Sequence, residues 1–120
     1  MGKLDLRDLH DMTIKPLSDK VSVSPQITVA DLQALAADGY TCVICNRPDG
    51  EDPDQPTFAE IEAAARAAGI AAVHIPVRPG HATAEDVTAF STAVRVADGK
   101  VLAYCKSGGR AQSLFLASQG

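Results

Sequence analysis

The chain has 120 residues, a formal net charge of −4, 46% hydrophobic residues and 22% charged residues. This length and composition are typical of one soluble globular domain with a single layered core. No cluster of basic residues alternates with aromatic residues, so we expect no nucleic-acid partner. No apolar run approaches the roughly 18 residues of a membrane span, so we expect no membrane partner. The three cysteines do not follow a disulfide spacing, which favours a reducing compartment and a cytoplasmic protein.

Strands and helices alternate along the hydrophobic pattern, after a short charged segment, residues 1–11, that we expect to be a disordered leader. Apolar strands are predicted over residues 20–24, 40–45, 70–77 and 101–105. Thr28, Thr57 and Thr83 each stand three positions before an acidic residue, which predicts a helix N-terminus at each. The alternation predicts an α/β fold in residues 12–120, with a parallel sheet of four or five strands flanked by helices.

Ligands of parallel sheets bind beyond the carboxyl ends of the strands. Three loops are predicted to share that edge: residues 46–56, 78–83 and 106–110.

The loop after the last strand carries the residues most suited to chemistry, in the order Cys-Lys-Ser-Gly-Gly-Arg from Cys105 to Arg110. Backbone N–H groups of a tight loop and the positive end of the following helix converge on one point, where an anion fits. A cysteine beside a helix N-terminus and a cation favours the ionised, nucleophilic sulfur. Gly108 and Gly109 permit positive φ and close approach of a ligand. Arg110 offers a planar fork to two oxygens.

The loop resembles known catalytic loops. Its Cys-x4-Arg spacing is similar to that of rhodanese sulfurtransferases and is one residue shorter than the Cys-x5-Arg loop of tyrosine and dual-specificity phosphatases. Three further blocks, residues 22–28, 45–51 and 73–77, resemble in order the phosphatase-like domain of beta-lactamase-hydrolase-like proteins. This bacterial family has a dual-specificity-phosphatase-like fold and is often linked to sulfide handling. The resemblance covers roughly residues 12–116, and its most specific block is Asn-Arg-Pro-Asp-Gly-Glu.

The resemblance implies that residues 12–120 are a phosphatase-like catalytic domain with a rhodanese-like loop, in which Cys105 is the nucleophile and Arg110 binds the anion. Lys106, Ser107, Gly108 and Gly109 would complete the anion-binding loop. The expected substrate is a small anion, either a phosphate ester or a sulfur oxyanion or persulfide. We expect no cofactor and no metal, and a homo-oligomer is compatible with the sequence.

Several residues depart from the phosphatase pattern. Those enzymes place an aspartate general acid in the loop after the strand that ends near residue 77, where this chain has Arg-Pro-Gly-His-Ala. They carry a hydroxyl residue after the arginine and a histidine before the cysteine, where this chain has Ala111 and Tyr104. The departures keep two alternatives open: a rhodanese-type sulfurtransferase that handles persulfides, and a catalytically silent oxyanion-binding module.

Four residues outside the cysteine loop are further candidates. Asp49 or His81 is expected to replace the absent general acid. Arg47 is predicted to be a second anion contact or a salt-bridge partner of Glu51 or Asp54. Cys45 is expected to pack in the core or to act as a resolving thiol that protects the nucleophile.

Overall fold

The computed structural model describes residues 13–119, so the predicted leader, residues 1–11, lies outside the described residues. The five strands are β1 (Lys15–Pro16), β2 (Val21–Ser24), β3 (Tyr40–Cys45), β4 (Ala71–His74) and β5 (Lys100–Tyr104). The helices of this part of the chain are α1 (Asp31–Ala37), α2 (Phe58–Ala67), α3 (Ala84–Val96) and α4 (Gly109–Gln119). None of these helices is long and apolar enough to cross a bilayer.

The strands form one sheet in the order β1-β2-β5-β3-β4. Strands β2, β5, β3 and β4 are parallel, and β1 pairs antiparallel with β2 at one edge. The predicted α/β class with a parallel sheet is therefore confirmed. The two-residue strand β1 was not predicted, because so short a segment carries no alternating pattern. Central β5 delivers the cysteine loop between β2 and β3.

The sheet is covered on both faces, as its continuously apolar strands predict. Successive residues of β5 alternate between the two faces. Val101 and Ala103 pack with Phe90 of α3 and with α4 on one face. Leu102 and Tyr104 pack with α1 and α2 on the other face. The site at the end of β5 therefore rests on two packed layers.

The capping pattern predicted two helix starts correctly and one incorrectly. Thr57 and Thr83 each form a complete capping box with the acid three residues later. Helix α1 begins only at Asp31, whose carboxylate accepts the backbone N–H of Thr28 at 2.8 Å. The Thr28 hydroxyl makes no capping bond to α1, because the residues between it and Asp31 form a turn before the helix begins.

Candidate active site

Three loops meet at the carboxyl edge of the sheet, as predicted. We call residues 105–110 the cysteine loop, residues 46–56 the acidic loop and residues 78–83 the histidine loop. The backbone N–H of Asn46 donates to the Tyr104 carbonyl at 2.8 Å, and that of Val77 donates to the Asn46 carbonyl at 3.2 Å. The Asn46 side chain also donates to the Ile75 carbonyl at 2.9 Å. These bonds continue the sheet beyond its last residues and hold the starts of the loops side by side.

Cys105 lies at the base of the cysteine loop and is fully buried, with 0% of its surface exposed. The backbone N–H of Gly108 donates to its sulfur at 3.0 Å. Gly108 has a φ of +96°, and a Cβ on it would lie 3.4 Å from the backbone of Ser24. Glycine at this position therefore permits the turn that aims an N–H group at the cysteine sulfur.

Most of the other amides of the loop point to no protein acceptor. Within residues 13–119, the backbone N–H groups of Lys106, Ser107, Arg110 and Ala111 have no hydrogen-bond acceptor. The N–H of Gly109 donates to the Ser107 hydroxyl oxygen at 3.3 Å. Helix α4 begins in this loop, so the positive end of its dipole adds to the positive potential around these N–H groups. The loop thus presents unpaired donors of the kind that bind oxyanions.

Arg110 is held in one orientation by two acceptors. Its Nη1 donates to Glu51 Oε2 at 2.7 Å and to the Val77 carbonyl at 2.8 Å, and its Nη2 donates to Glu51 Oε1 at 3.0 Å. A guanidinium has five N–H donors. The Nε donor and one Nη2 donor of Arg110 lie on the same edge of the guanidinium and have no acceptor within residues 13–119. The hydrogen bond to Glu51 first, and the nearby Cys105 sulfur after it, raise the pKa of Arg110.

Glu51 was predicted only as a salt-bridge partner of Arg47, and the sequence interpretation missed its contact with Arg110. It accepts from Arg110 through both oxygens and from Arg47 Nε at 2.8 Å. These cations, Arg110 above all, lower the pKa of Glu51 to about 2. The available signal was its place at the end of the Asn-Arg-Pro-Asp-Gly-Glu block, which is the most specific part of the family resemblance. Glu51 therefore positions the arginine of the cysteine loop.

Arg47 lies beneath the acidic loop with only 3% of its side chain exposed. Besides Glu51, its guanidinium donates to Asp52 and, at 2.9 Å, to Gln26 Oε1. Of its two predicted roles, the structure shows the salt bridge of Arg47 with Glu51, and the anion contact stays a prediction. Its second acidic partner is Asp52.

Two other predicted site residues bond within the acidic loop and its surroundings. The Asp49 carboxylate accepts the backbone N–H of Phe58 at 2.8 Å, so it holds the start of α2. This bond gives Asp49 a structural role, and its use as a catalytic acid stays a prediction. The Lys106 side chain is 62% exposed, and its Nζ lies 3.4 Å from Asp52 Oδ2. Lys106 therefore adds positive charge at the surface of the cysteine loop.

Cys45 is separated from Cys105 by the sheet. Cys45 pairs in register with Tyr104 and packs with it on the α1 and α2 face. Because Cys105 follows Tyr104, its side chain lies on the opposite face. A disulfide between the two thiols would need the strand end to turn over, so the structure favours the expected core packing of Cys45, and its role as a resolving thiol stays a prediction. Its thiol instead donates to the Arg47 carbonyl at 3.3 Å. Burial raises the pKa of Cys45.

A cleft of about 540 Å³ opens beside this network, between the acidic loop and the histidine loop. Its lining residues are Pro48, Pro76, Val77, Arg78, His81, Thr83 and Asp86. Val77, whose carbonyl accepts from Arg110, links the cleft to the cysteine loop, although no residue of that loop lines it. His81, the second candidate for the general acid, lines this cleft.

The chain is similar to several known proteins. It is 38% identical over 108 residues to a beta-lactamase hydrolase-like protein of Xylella fastidiosa, a match that covers 90% of this chain and 25% of the relative. The chain thus spans about a quarter of the length of that curated relative. It is also 38% identical to a candidate phosphatase of known structure from Neisseria meningitidis, with a TM-score of 0.79 over 87% of this chain and 74% of that one.

A second solved structure supports the fold alone. A candidate phosphatase from Shewanella putrefaciens has a TM-score of 0.82 and 23% identity, over 95% of this chain and 75% of that one. The predicted cysteine-phosphatase-like fold is therefore confirmed. The family model for the phosphatase-like domain of beta-lactamase hydrolase-like proteins matches residues 13–120. The chain belongs to this family of phosphatase-like domains.

Proposed function

We propose that this domain is a cysteine-dependent hydrolase of small phosphate esters, with Cys105 as the nucleophile. The observation that carries the proposal is the set of donors that the cysteine loop and Arg110 leave unpaired. Next to Cys105, whose sulfur accepts from the Gly108 N–H, four backbone N–H groups of the loop and one edge of Arg110 have no acceptor within residues 13–119. Donors arranged before the reaction stabilise the charge of a phosphoryl group at its transition state, which is the largest contribution in most enzymes of this kind.

The reaction follows from the roles of these groups. The Cys105 thiolate attacks phosphorus, the bond to the ester oxygen breaks, and a phosphocysteine forms that water then hydrolyses. The N–H groups of the loop and Arg110 hold the phosphoryl oxygens through both steps. Glu51 keeps the fork of Arg110 in place with a carboxylate that stays charged at neutral pH, because its pKa lies near 2.

The full burial of Cys105 sets a condition on this proposal. With 0% of the residue exposed, an oxyanion reaches the sulfur only when the cysteine loop widens. The backbone N–H of Gly108 donates to the sulfur. An anion that accepts hydrogen bonds from the backbone N–H groups of Lys106 and Ser107 would occupy space next to the same sulfur. We therefore expect phosphate to alter the reactivity of Cys105.

The experiment measures release of phosphate from 4-nitrophenyl phosphate by the purified chain. We expect turnover that disappears in Cys105→Ser and survives in Cys42→Ser, which changes a buried cysteine of the core away from the loop. Iodoacetamide labelling of Cys105 should be slowed by inorganic phosphate. Turnover that persists in Cys105→Ser would overturn the proposal. A reducing, cytoplasmic compartment belongs to the proposal, since a nucleophilic sulfur has to stay reduced.

Sulfur transfer is a second candidate, favoured by Ala111. This residue is fully buried and supplies a methyl group where the resemblance leads us to expect a hydroxyl that assists hydrolysis of phosphocysteine. In sulfur transfer, the Cys105 thiolate would attack the outer sulfur of thiosulfate, the S–S bond would break and sulfite would leave. The persulfide on Cys105 would then pass its outer sulfur to an acceptor thiol or cyanide, so no ester oxygen would need a proton. Formation of thiocyanate from thiosulfate and cyanide without phosphatase turnover would favour this reaction. If neither activity appears but phosphate still protects Cys105, the domain is a silent oxyanion-binding module.

A further inference from the structure

We propose that His81 is the general acid that protonates the leaving group. This inference rests on the proposed phosphatase function. Departure of an alkoxide is slow without a proton, and a positioned acid typically contributes about 10²–10⁴-fold to such a step. The histidine loop and the cleft beside Arg110 are the features that carry the assignment.

The carboxylates of the acidic loop nearest to Arg110 are engaged in other bonds. The Asp49 carboxylate accepts a hydrogen bond from the backbone N–H of Phe58, the first residue of α2. Glu51 binds two arginines, and its pKa near 2 leaves it without a proton at neutral pH. Asp52 bonds to Arg47 and lies 3.4 Å from Lys106, and the hydrogen bond from Arg47 lowers its pKa. None of the three is suited to donate a proton to a leaving oxygen.

The two carboxylates that open α3 are no better placed. Asp86 accepts the backbone N–H of Thr83 at 2.9 Å as part of the capping box of that helix. This bond commits the carboxylate to the start of the helix. Glu85 is exposed and does not line the cleft. The titratable side chain of the cleft that suits proton transfer near neutral pH is then the imidazole of His81.

A tight turn holds His81 at the cleft. The backbone N–H of His81 donates to the Arg78 carbonyl at 3.0 Å, which closes a four-residue turn. Pro79 and Gly80 occupy its centre, and Gly80 has a φ of +77°, as a type II turn requires at that position. The turn follows directly after Val77, whose carbonyl accepts from Arg110. The charged groups that line the cleft with His81 are Arg78 and Asp86.

The step conserves atoms and charge. The Cys105 sulfur forms a bond to phosphorus while the bond between phosphorus and the ester oxygen breaks. The proton of the His81 imidazolium passes to that oxygen, so a neutral alcohol leaves and a neutral imidazole remains. Water then attacks the phosphocysteine, gives one proton to His81, and releases phosphate and the thiolate.

The experiment compares two substrates whose leaving groups differ in their need for a proton. The first, 4-nitrophenyl phosphate, releases a stable phenolate. The second, phenyl phosphate, releases a far more basic one. For His81→Gln we expect kcat/KM to fall by about 10²-fold or more with phenyl phosphate and by less than about fivefold with 4-nitrophenyl phosphate. Glu85→Gln, which neutralises an exposed group next to the same cleft, is the matched control and should change neither value.

A second variant keeps a proton donor at the same position. In His81→Asp we expect part of the phenyl phosphate activity to return, with the pH limit of activity displaced to lower pH, because a carboxylic acid loses its proton at lower pH than an imidazolium. Equal losses with both substrates, or no loss with either, would overturn the assignment of His81 alone. Absence of turnover with both substrates in the unmodified protein would instead overturn the proposed phosphatase function.

Discussion

The acidic loop and the histidine loop border the same cleft but are built in opposite ways. The acidic loop is tied by bonds among its own side chains, with Arg47 buried beneath Glu51 and Asp52. The histidine loop is exposed along residues 78–83 and is held by one turn bond and the capping box of α3. The difference teaches that the family block in the acidic loop mainly builds a support for the anion site.

The largest expected effect is on stability, in Arg47→Ala. The variant leaves Glu51 and Asp52 without their shared cation, and we expect the free energy of unfolding to fall by about 3 kcal/mol, the lower end for a broken buried ion pair, since water reaches Asp52. Arg78→Ala in the histidine loop is the matched control, with a change within about 0.5 kcal/mol. Urea unfolding measures both values. Equal losses would contradict the contrast between the two loops.

The next effect is on catalysis, in Glu51→Gln. The amide keeps the shape of the carboxylate but removes the charge that binds Arg110, so we expect kcat/KM with 4-nitrophenyl phosphate to fall by up to about 10²-fold, as misplacement of a catalytic group does. Glu60→Gln, which neutralises the capping acid of α2 away from the anion site, is the control and should keep its activity. Unchanged activity in Glu51→Gln would show that Arg110 needs no support from the acidic loop.

The free energy of unfolding should depend on pH through the Glu51 carboxylate. The pKa of Glu51 falls from an ordinary value of 4.5 to about 2 in the folded protein, so the unfolded chain binds a proton at higher pH than the native one. Its contribution is therefore complete above about pH 4.5 and is lost as the pH falls toward about 2. Urea unfolding from about pH 6 to about pH 3 should show a steeper decline for the unmodified chain than for Glu51→Gln. Parallel curves would mean that Glu51 is not held by its arginines in solution.

The smallest effect is expected for Asp49. Asp49→Ala removes the acceptor at the start of α2 and should cost about 1 kcal/mol, as other helix caps do. Asp49→Asn keeps an acceptor and should recover most of that loss. Both variants should retain turnover of phenyl phosphate. Loss of that turnover in Asp49→Asn would return the role of general acid to the acidic loop and contradict the assignment of His81.

Much of the fold and part of the site follow from local patterns. The capping boxes at Thr57 and Thr83, the buried parallel strands and the edge where three loops meet are all properties of short segments. The same holds for Gly108, which has the predicted positive φ, whereas Gly109 has none because it begins α4. It also holds for Cys42 and Cys45, which lie on different sides of the sheet as their spacing within one strand requires.

The roles of Cys45 and Asp49 depend on relations between segments. The pairing of Cys45 with Tyr104 depends on the register of two strands far apart in the chain, and this register places the two thiols on opposite faces. Asp49 is engaged by Phe58, nine residues later, because the acidic loop folds back onto α2. Neither contact has a signature in the residues next to it.

By itself, the sequence determined the alternation of elements, the edge of the sheet that carries the site and the identity of the cysteine loop, since periodicity, capping and glycine conformation act over a few residues. Only the tertiary structure decided that Glu51 orients Arg110, that Arg47 supports Glu51 and that His81 lines the cleft. These contacts are made between residues at the ends of different strands. The strength of an ion pair depends on the distance between the charges and on their burial, and the packing of the whole sheet sets both.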